Sequence, residues 1–242
     1  MVTVRAAVLI GCFLASCRDG ASSPAPAPEP AAKAVEATGD HRKVFASIYE
    51  DRTWGANGDG RGTSGTGSTL GATVVYRAYL QQFMAEHGIK SVVDAGCGDW
   101  EFSSALDWTG IDYRGFDIVP AIVARNTERH GKANIHFRVG NIITDDLPPA
   151  DLLISKDVLQ HLPNKDVVAF LGKQLPKYKH VLLTNGVDAH SLSGANGDIA
   201  IGDYRPIDLT LPPYSLAALK VLTYWDGKHM HQVVHAANAN RP

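Results

Sequence analysis

Residues 91–100 read S-V-V-D-A-G-C-G-D-W, an apolar strand that ends on an acid and is followed by a turn with two glycines. Glycine has no Cβ and tolerates positive φ, so a ligand can approach the backbone of such a turn closely. Asp94 places a negative charge at the strand end, and Gly96 and Gly98 form the turn. The decapeptide predicts a nucleotide-type pocket with an acidic floor. A tight turn without a ligand in any α/β protein is the alternative.

The glycine turn departs from the dinucleotide fingerprint G-x-G-x-x-G. Glu101 occupies the third glycine position, where a small residue normally lets the helix pack closely. The Asp94 carboxylate would also lie beside a pyrophosphate, which costs roughly 3 kcal/mol at a separation of about 5 Å and an effective dielectric constant near 20. Both features disfavour a nicotinamide oxidoreductase. A cation would instead gain from this charge, and S-adenosylmethionine (SAM) carries an ammonium and a sulfonium.

Four successive motifs, within roughly residues 44–235, resemble those of class I SAM-dependent methyltransferases. The first is the strand and turn just described. The second is a strand that ends in Asp117, 23 positions after Asp94, close to the ~20-residue spacing at which an acid binds ribose hydroxyls in doubly wound folds. Asp117 can alternatively cap the helix that begins at Pro120. The resemblance implies SAM as the cofactor and the following cofactor-binding residues: Asp94, Gly96, Gly98, Asp117, Ile118, Asn141 and Ile142.

The third and fourth motifs follow in residues 135–141 and 151–162. In the family the third strand normally ends in an Asp that accepts a hydrogen bond from adenine. Asn141 replaces it here, and its amide oxygen still accepts but carries no charge. The fourth strand and its loop resemble the wall that faces the transferred methyl, so Asp157 and His161 are the candidate catalytic bases for a hydroxyl acceptor. Simple loop and turn roles are the alternatives for both residues.

Residues 52–68 are rich in glycine and contain no P-loop, because no Gly-Lys-Ser/Thr follows the glycines. A flexible linker is one interpretation. We favour a lid over the cofactor, in which Trp54 covers the sulfonium through a cation–π contact worth roughly 0.5–2 kcal/mol. Arg77, on a helical stretch at residues 69–87, is expected to pair with the methionine carboxylate of SAM. A solvated helix charge is its alternative role.

The remaining sequence predicts an α/β, doubly wound, Rossmann-like sheet of seven strands, mostly parallel with a closing antiparallel C-terminal hairpin. Its hairpin turn is predicted at Asp226-Gly227. Further helices are expected at residues 120–130 and 164–175, a buried fifth strand at 181–185, and the hairpin strands at 219–225 and 230–236.

The long loop at residues 186–213 is expected to hold the methyl acceptor. Ligands of open α/β sheets bind outside the carboxyl ends of the strands, and this loop follows the fifth strand. His190, Tyr204 and Arg205 in this loop are therefore the expected substrate-binding residues.

The chain has 242 residues, a formal charge of −2 and an isoelectric point near 6.5. This slightly negative net charge gives no sign of the basic surface that binds nucleic acid, so we expect a small-molecule or glycan acceptor. We further expect a monomer and no metal. The predicted function is SAM-dependent methyl transfer. A membrane-tethered, non-catalytic binding module with the same fold is the alternative.

The N-terminus resembles a bacterial lipoprotein signal. Arg5 precedes a short apolar run, and residues 14–17 read L-A-S-C, in which Cys17 would be acylated. The expected organisation is a signal peptide at residues 1–16, a disordered Ala/Pro-rich tether at 17–40 and a methyltransferase domain at 41–242. The acyl group on Cys17 would be the protein's contact with the membrane, which implies that the protein is located in the bacterial periplasm or cell envelope. A buried apolar helix or a misread start, with a cytoplasmic protein, is the alternative.

Overall fold

The computed structural model describes residues 41–55 and 62–238. The expected signal peptide, tether and acylated Cys17 lie outside the described residues, so these expectations stay predictions. Within the described ranges, no helix combines the length and the apolar character needed to cross a bilayer.

Seven strands form one sheet in the order β3-β2-β1-β4-β5-β7-β6. The strands β1 to β5 pair in parallel, whereas β7 runs antiparallel to both β5 and β6. The doubly wound sheet with a closing hairpin is therefore confirmed. The strands are β1 (Ser91–Ala95), β2 (Asp112–Asp117), β3 (Ile135–Val139), β4 (Ala150–Lys156), β5 (Tyr178–Val187), β6 (Leu219–Trp225) and β7 (Met230–Ala237).

Hydrophobic clusters cover both faces of this sheet. Val92 belongs to one cluster and Val93 to the other, because successive side chains of β1 point to opposite faces. Helix α2 begins later than the sequence predicts, and helix α1 was not predicted. The α-helices in the described ranges are α1 (His41–Glu50), α2 (Val74–Glu86), α3 (Pro120–His130) and α4 (Asn164–Gln174).

The antiparallel direction of β7 determines which of its residues reach the ligand edge of the sheet. The parallel strands end at this edge, and Asp157 follows the end of β4. Because β7 runs in the opposite direction, its first residues lie at the same edge, where His231 pairs in register with Gly186 of β5. The fold therefore brings Asp157 and His231, which are 74 positions apart, into hydrogen-bonding distance.

Candidate functional site

A cavity of about 860 Å³ lies at the carboxyl ends of β1, β2 and β4. Its floor is the turn after β1, and its roof is helix α1 with the segment after it. Residues expected from the sequence that line the cavity are Trp54, Gly96, Gly98, Asp117, Ile118, Asn141, Ile142, Asp157 and His161.

The glycine turn adopts a backbone that other residues rarely accept. Gly96 has φ +87° and Gly98 has φ +54°. A Cβ on Gly96 would lie 2.5 Å from Cγ2 of Val158, and one on Gly98 would lie 2.5 Å from Oγ of Ser64. The chain therefore needs glycine at both positions to keep the floor and the roof this close.

Asp117 connects the end of β2 to the glycine turn. Its Oδ2 accepts a 3.1 Å hydrogen bond from the backbone N–H of Gly98, and its Oδ1 accepts a 3.0 Å bond from that of Val119. The side chain lines the cavity although the residue is buried. Burial raises the pKa of Asp117 to about 6. At neutral pH the carboxylate is therefore ionised and offers its remaining lone pairs to hydroxyl donors in the cavity.

Asp94 does not line the cavity, which corrects the expectation that its charge forms the floor. Its side chain lies on the opposite face of β1 from Ala95, and Tyr113 donates a 2.6 Å hydrogen bond to its Oδ2. Burial raises the pKa of Asp94 to about 7, although the Tyr113 bond opposes this. Of the acids that end β1 and β2, Asp117 lines the cavity and Asp94 does not.

An Asp94→Asn variant should flatten the pH dependence of stability between about pH 4 and pH 7. The folded-state pKa of Asp94 is raised from 3.8 to about 7, so its contribution is fully present below about pH 4 and is lost as the pH rises through this window. Asparagine keeps an acceptor for Tyr113 and removes this slope, roughly 1.4 kcal/mol per pH unit. Urea unfolding of both proteins at several pH values measures it. Parallel pH curves would show that burial does not perturb Asp94.

The roof of the cavity consists of aromatic side chains from α1 and the segment after it. Trp54 contacts the rings of Phe45 and Tyr49 at centroid distances of 5.9 and 5.6 Å. Trp54 also packs against His161 at 4.8 Å, so it spans the cavity mouth as the lid interpretation requires. Helix α1 is held in place by a 2.9 Å contact between His41 Nε2 and an oxygen of Asp166.

Asp99 fastens the glycine-rich segment to the floor. Its Oδ2 accepts hydrogen bonds from the backbone N–H groups of Thr63 and Ser64, and Ser64 Oγ accepts a 2.8 Å bond from Asp99 N–H. The other oxygen, Oδ1, is buried without a hydrogen-bond partner among the described residues. Asp99 lines the cavity, and a buried carboxylate oxygen without a donor is costly.

Arg77 lies outside the cavity. Its guanidinium donates 2.8 Å and 3.2 Å hydrogen bonds to the Leu70 carbonyl and the Thr73 hydroxyl. It stabilises the turn before α2, and the expected pairing with a ligand carboxylate is not supported by this position.

A second cavity, of about 1020 Å³, adjoins the first. The two share Trp54, Ser64, Asp157 and His161. Tyr204 lines the second cavity, as expected of a substrate-binding residue. A molecule in either cavity therefore reaches Asp157 and His161.

His190 and Arg205, by contrast, do not line either of these cavities. His190 is exposed in a turn, where its N–H donates to Asp188. Arg205 is buried and donates 2.8 Å hydrogen bonds to the Leu162 carbonyl and to Asn164 Oδ1. It fixes the long loop to the start of α4, so its expected substrate role is corrected to a structural one.

Asp157 belongs to a chain of buried charges that the sequence did not reveal. Its Oδ2 pairs with the Lys156 ammonium, and its Oδ1 lies 3.0 Å from Nδ1 of His231. Nε2 of His231 lies 2.9 Å from Asp226 Oδ2, and the side chains of Lys156, His231 and Asp226 are each 3–4 % exposed. Burial alone would raise the pKa of Asp157, but Lys156 and then His231 lower it well below the usual range. Burial alone would lower the pKa of His231, yet the two carboxylates raise it.

This arrangement makes Asp157 a poor base. A general base works best when its pKa lies near the working pH, and the Asp157 carboxylate is stabilised in its ionised form. The residue also has φ +58°, a conformation that Asp tolerates better than most residues. Asp157 instead places a fixed negative charge between the two cavities.

His161 has the properties of a base. Burial lowers its pKa, so the imidazole is neutral at pH 7. Gln160 Oε1 accepts a 2.6 Å bond from Gly186 N–H, which leaves its amide N–H as the donor toward His161 Nε2 at 3.4 Å. His161 Nδ1 lies 2.9 Å from the Asp203 carbonyl and must donate to it. The network therefore assigns the proton to Nδ1 and leaves Nε2 unprotonated, with its one in-plane lone pair directed at the Gln160 amide.

The residues that sequence reasoning missed are joined by long-range pairing. Lys156 lies within the fourth motif, at residues 151–162, and Asp226 lies in the predicted hairpin turn, but no local pattern places either residue beside His231. Asn141 was expected and lines the cavity, where its Oδ1 accepts a 2.9 Å bond from Ile143 N–H. Residues 41–55 and 62–238 contain no group of three or more His, Cys, Asp or Glu side chains arranged to hold a metal ion.

Comparison with known proteins agrees with this architecture. Magnesium protoporphyrin IX methyltransferase from Synechocystis PCC 6803, crystallised with S-adenosylhomocysteine (SAH), is similar at a TM-score of 0.58 and 16 % identity, covering 82 % of this chain and 98 % of that one. Human N-acetylserotonin methyltransferase in complex with SAM is similar at a TM-score of 0.51 and 16 % identity, over 81 % of this chain and 59 % of that one. These likenesses show the fold. A comparison with curated protein sequences finds no match.

The family comparison covers the elements that build the cavity floor. The family model described as a methyltransferase domain matches residues 86–222. This range includes β1 to β5 with the glycine turn, Asp117, Asp157 and His161, and it is more than half of the 242 residues. The chain therefore belongs to the methyltransferase domain family.

Proposed function

We propose that the protein transfers the methyl group of SAM to a hydroxyl acceptor. The observation that carries this proposal is the meeting of two cavities at one neutral imidazole. One cavity lies over the glycine turn and Asp117, the other over Tyr204, and His161 lines both. A cofactor in the first cavity and an acceptor in the second would therefore meet beside His161.

The residues of the first cavity fit SAM chemically. The Asp117 carboxylate would accept hydrogen bonds from ribose hydroxyls, and the Asp99 carboxylate is a second acid in the lining that would attract the ammonium. Ile118 and Ile142 provide apolar walls for an adenine ring, and Trp54 provides an aromatic face for a sulfonium. Glycine at positions 96 and 98 lets the turn pack closely against Val158 and Ser64, because a Cβ at either position would lie 2.5 Å from one of these side chains.

Bound SAM supplies an electrophilic methyl carbon, to which the acceptor oxygen bonds as the carbon–sulfur bond breaks and leaves its electron pair on sulfur. The protein contributes mainly alignment of the two reactants, which supplies most of the acceleration in such displacements. The acceptor hydroxyl would replace the 3.4 Å Gln160 contact at His161 Nε2, which then takes the hydroxyl proton, and the Nδ1 bond to the Asp203 carbonyl holds the ring in place. Asp157 keeps a fixed negative charge near the cationic cofactor.

A His161→Gln variant tests this assignment. Incubation with methyl-labelled SAM and a small-molecule extract of cells should transfer label to an acceptor, and His161→Gln should slow this about 100-fold to 10,000-fold. The affinity for SAM, measured separately, should change little. His190→Gln is the matched control because His190 is exposed outside the cavities. Equal rates for both variants would contradict the role of His161. Failure of a SAM-binding wild-type protein to transfer any label would contradict the enzymatic role.

The cellular location stays a proposal based on sequence. We infer a lipid anchor at Cys17 from the L-A-S-C pattern at residues 14–17. A fatty-acid label that is lost on Cys17→Ser substitution would support it, and a label that persists would contradict it.

A further inference from the structure

The second cavity is bounded by a continuous arc of rings. Successive ring centroids along Trp54, His161, Tyr204 and His229 lie 4.8, 5.9 and 6.1 Å apart, and all four residues line this cavity. Such an arc offers π faces to a flat ligand, because aromatic pairs are favourable at centroid distances of about 4.5–7 Å.

Most polar groups behind the arc already have partners. Both oxygens of Asp157 are used by Lys156 and His231, and both ring nitrogens of His231 are used by carboxylates. The Gln160 amide is shared between Gly186 and His161. A sugar requires a donor or an acceptor for many hydroxyls, and hydroxyls that lose their water without gaining a partner are costly. This cavity therefore favours an aromatic ring over a glycan.

The free charge at the rim of the second cavity is positive. Lys228 lines the cavity and is exposed, and its ammonium has no hydrogen-bond or ion-pair partner among the described residues. Asp157 is the one acid among the described lining residues, and its two oxygens are paired with Lys156 and His231. An anionic group on the ligand would therefore gain from Lys228, provided that it binds at the rim, away from the carboxylates of Asp157 and Asp226, whose charges reach Tyr204.

We propose that the acceptor is a planar aromatic compound with a hydroxyl group and an anionic substituent. The inference rests on the proposed function and specifies its substrate class. The ring lies between Trp54 and Tyr204, the anion faces Lys228, and the hydroxyl meets His161. The hydroxyl proton passes to His161 Nε2, the new oxygen–carbon bond forms to the methyl, and the breaking bond leaves its electrons on the sulfur of SAH.

Four probe compounds test the class by ligand-observed NMR titration, with and without saturating SAH. They are 4-hydroxybenzoate, its saturated analogue trans-4-hydroxycyclohexanecarboxylate, its neutral methyl ester, and glucuronate. We expect 4-hydroxybenzoate to bind about threefold to tenfold more tightly than the saturated acid. Its advantage over the neutral ester should shrink as salt is raised, because an exposed charge is screened. Equal binding of the saturated acid or of glucuronate, or no binding of 4-hydroxybenzoate, would overturn the proposal.

Matched variants locate the two contributions. Tyr204→Leu should remove the preference for the aromatic ring, whereas Tyr204→Phe should keep it. Lys228→Met should remove the preference for the anion. Lys90→Met should not, because Lys90 precedes the first residue of β1 and the cavities lie at the carboxyl ends of the strands. A protein that binds SAH but shows no aromatic preference would refute this inference and leave the proposed function intact. A protein with the aromatic preference that binds neither SAM nor SAH would refute the proposed function, and with it the acceptor role.

Discussion

A His231→Phe variant should unfold with a free energy about 3–5 kcal/mol lower than that of the wild-type protein. The imidazole is 3 % exposed and lies between the carboxylates of Asp157 and Asp226. Phenylalanine fills similar space but replaces neither hydrogen bond, so two buried acids would lose the cation that separates them. Breaking a buried ion pair by removing one partner is costly because the remaining charge stays desolvated. Guanidinium unfolding at pH 7 measures the loss.

His229→Phe is the control for this prediction. His229 is a half-buried neighbour whose ring contacts Tyr204 and His231 and makes no ion pair among the described residues. Its replacement should cost less than about 1 kcal/mol, as surface changes usually do. A similarly small loss for His231→Phe would show that the chain of charges around Asp157 does not stabilise the fold.

Asp117→Ala should weaken SAM binding by about 1–3 kcal/mol, or roughly 5-fold to 150-fold in Kd. The carboxylate lines the cofactor cavity and is ionised above the pKa of about 6 to which burial raises it. Charge-assisted bonds to ribose hydroxyls would be lost, together with the bonds that hold the backbone of Gly98 and Val119. Calorimetric titration at pH 8 measures the change.

Asp145→Asn provides the control for Asp117. Asp145 accepts a 2.9 Å hydrogen bond from Asn141 N–H but does not line the cofactor cavity. Its replacement should leave the Kd for SAM close to the wild-type value. Unchanged affinity in Asp117→Ala would refute the ribose assignment even if SAM binds.

Local patterns predicted the parts of the site that local structure determines. Gly96 and Gly98 lie where the sequence places them, because a strand followed by a positive-φ turn needs only adjacent residues. Asp117 was found for the same reason, since β2 pairs directly with β1. Asp94 was assigned wrongly, because the sequence shows that a strand ends in an acid but not which face of the sheet that acid occupies.

The acceptor side depends on contacts between distant segments. His231 reaches Asp157 only because β7 lies between β5 and β6 in the antiparallel direction. No short sequence motif predicts this strand order. Arg205 was expected to bind substrate because it is a polar residue in a long loop, yet its guanidinium binds backbone carbonyls instead. Helix α1 was missed although Val44, Phe45, Ile48 and Tyr49 recur at helical spacing, and its Phe45 and Tyr49 help to form the cavity roof.

Calorimetric titration of the folded protein with SAM and with SAH tests the claim that the first cavity binds the methyl donor. We expect micromolar binding of both ligands, because Asp117, the glycine turn and the aromatic roof all face this cavity. No binding of either ligand by a demonstrably folded sample would contradict the claim. The methyltransferase fold would then serve another ligand, and the tethered binding module would be the better interpretation.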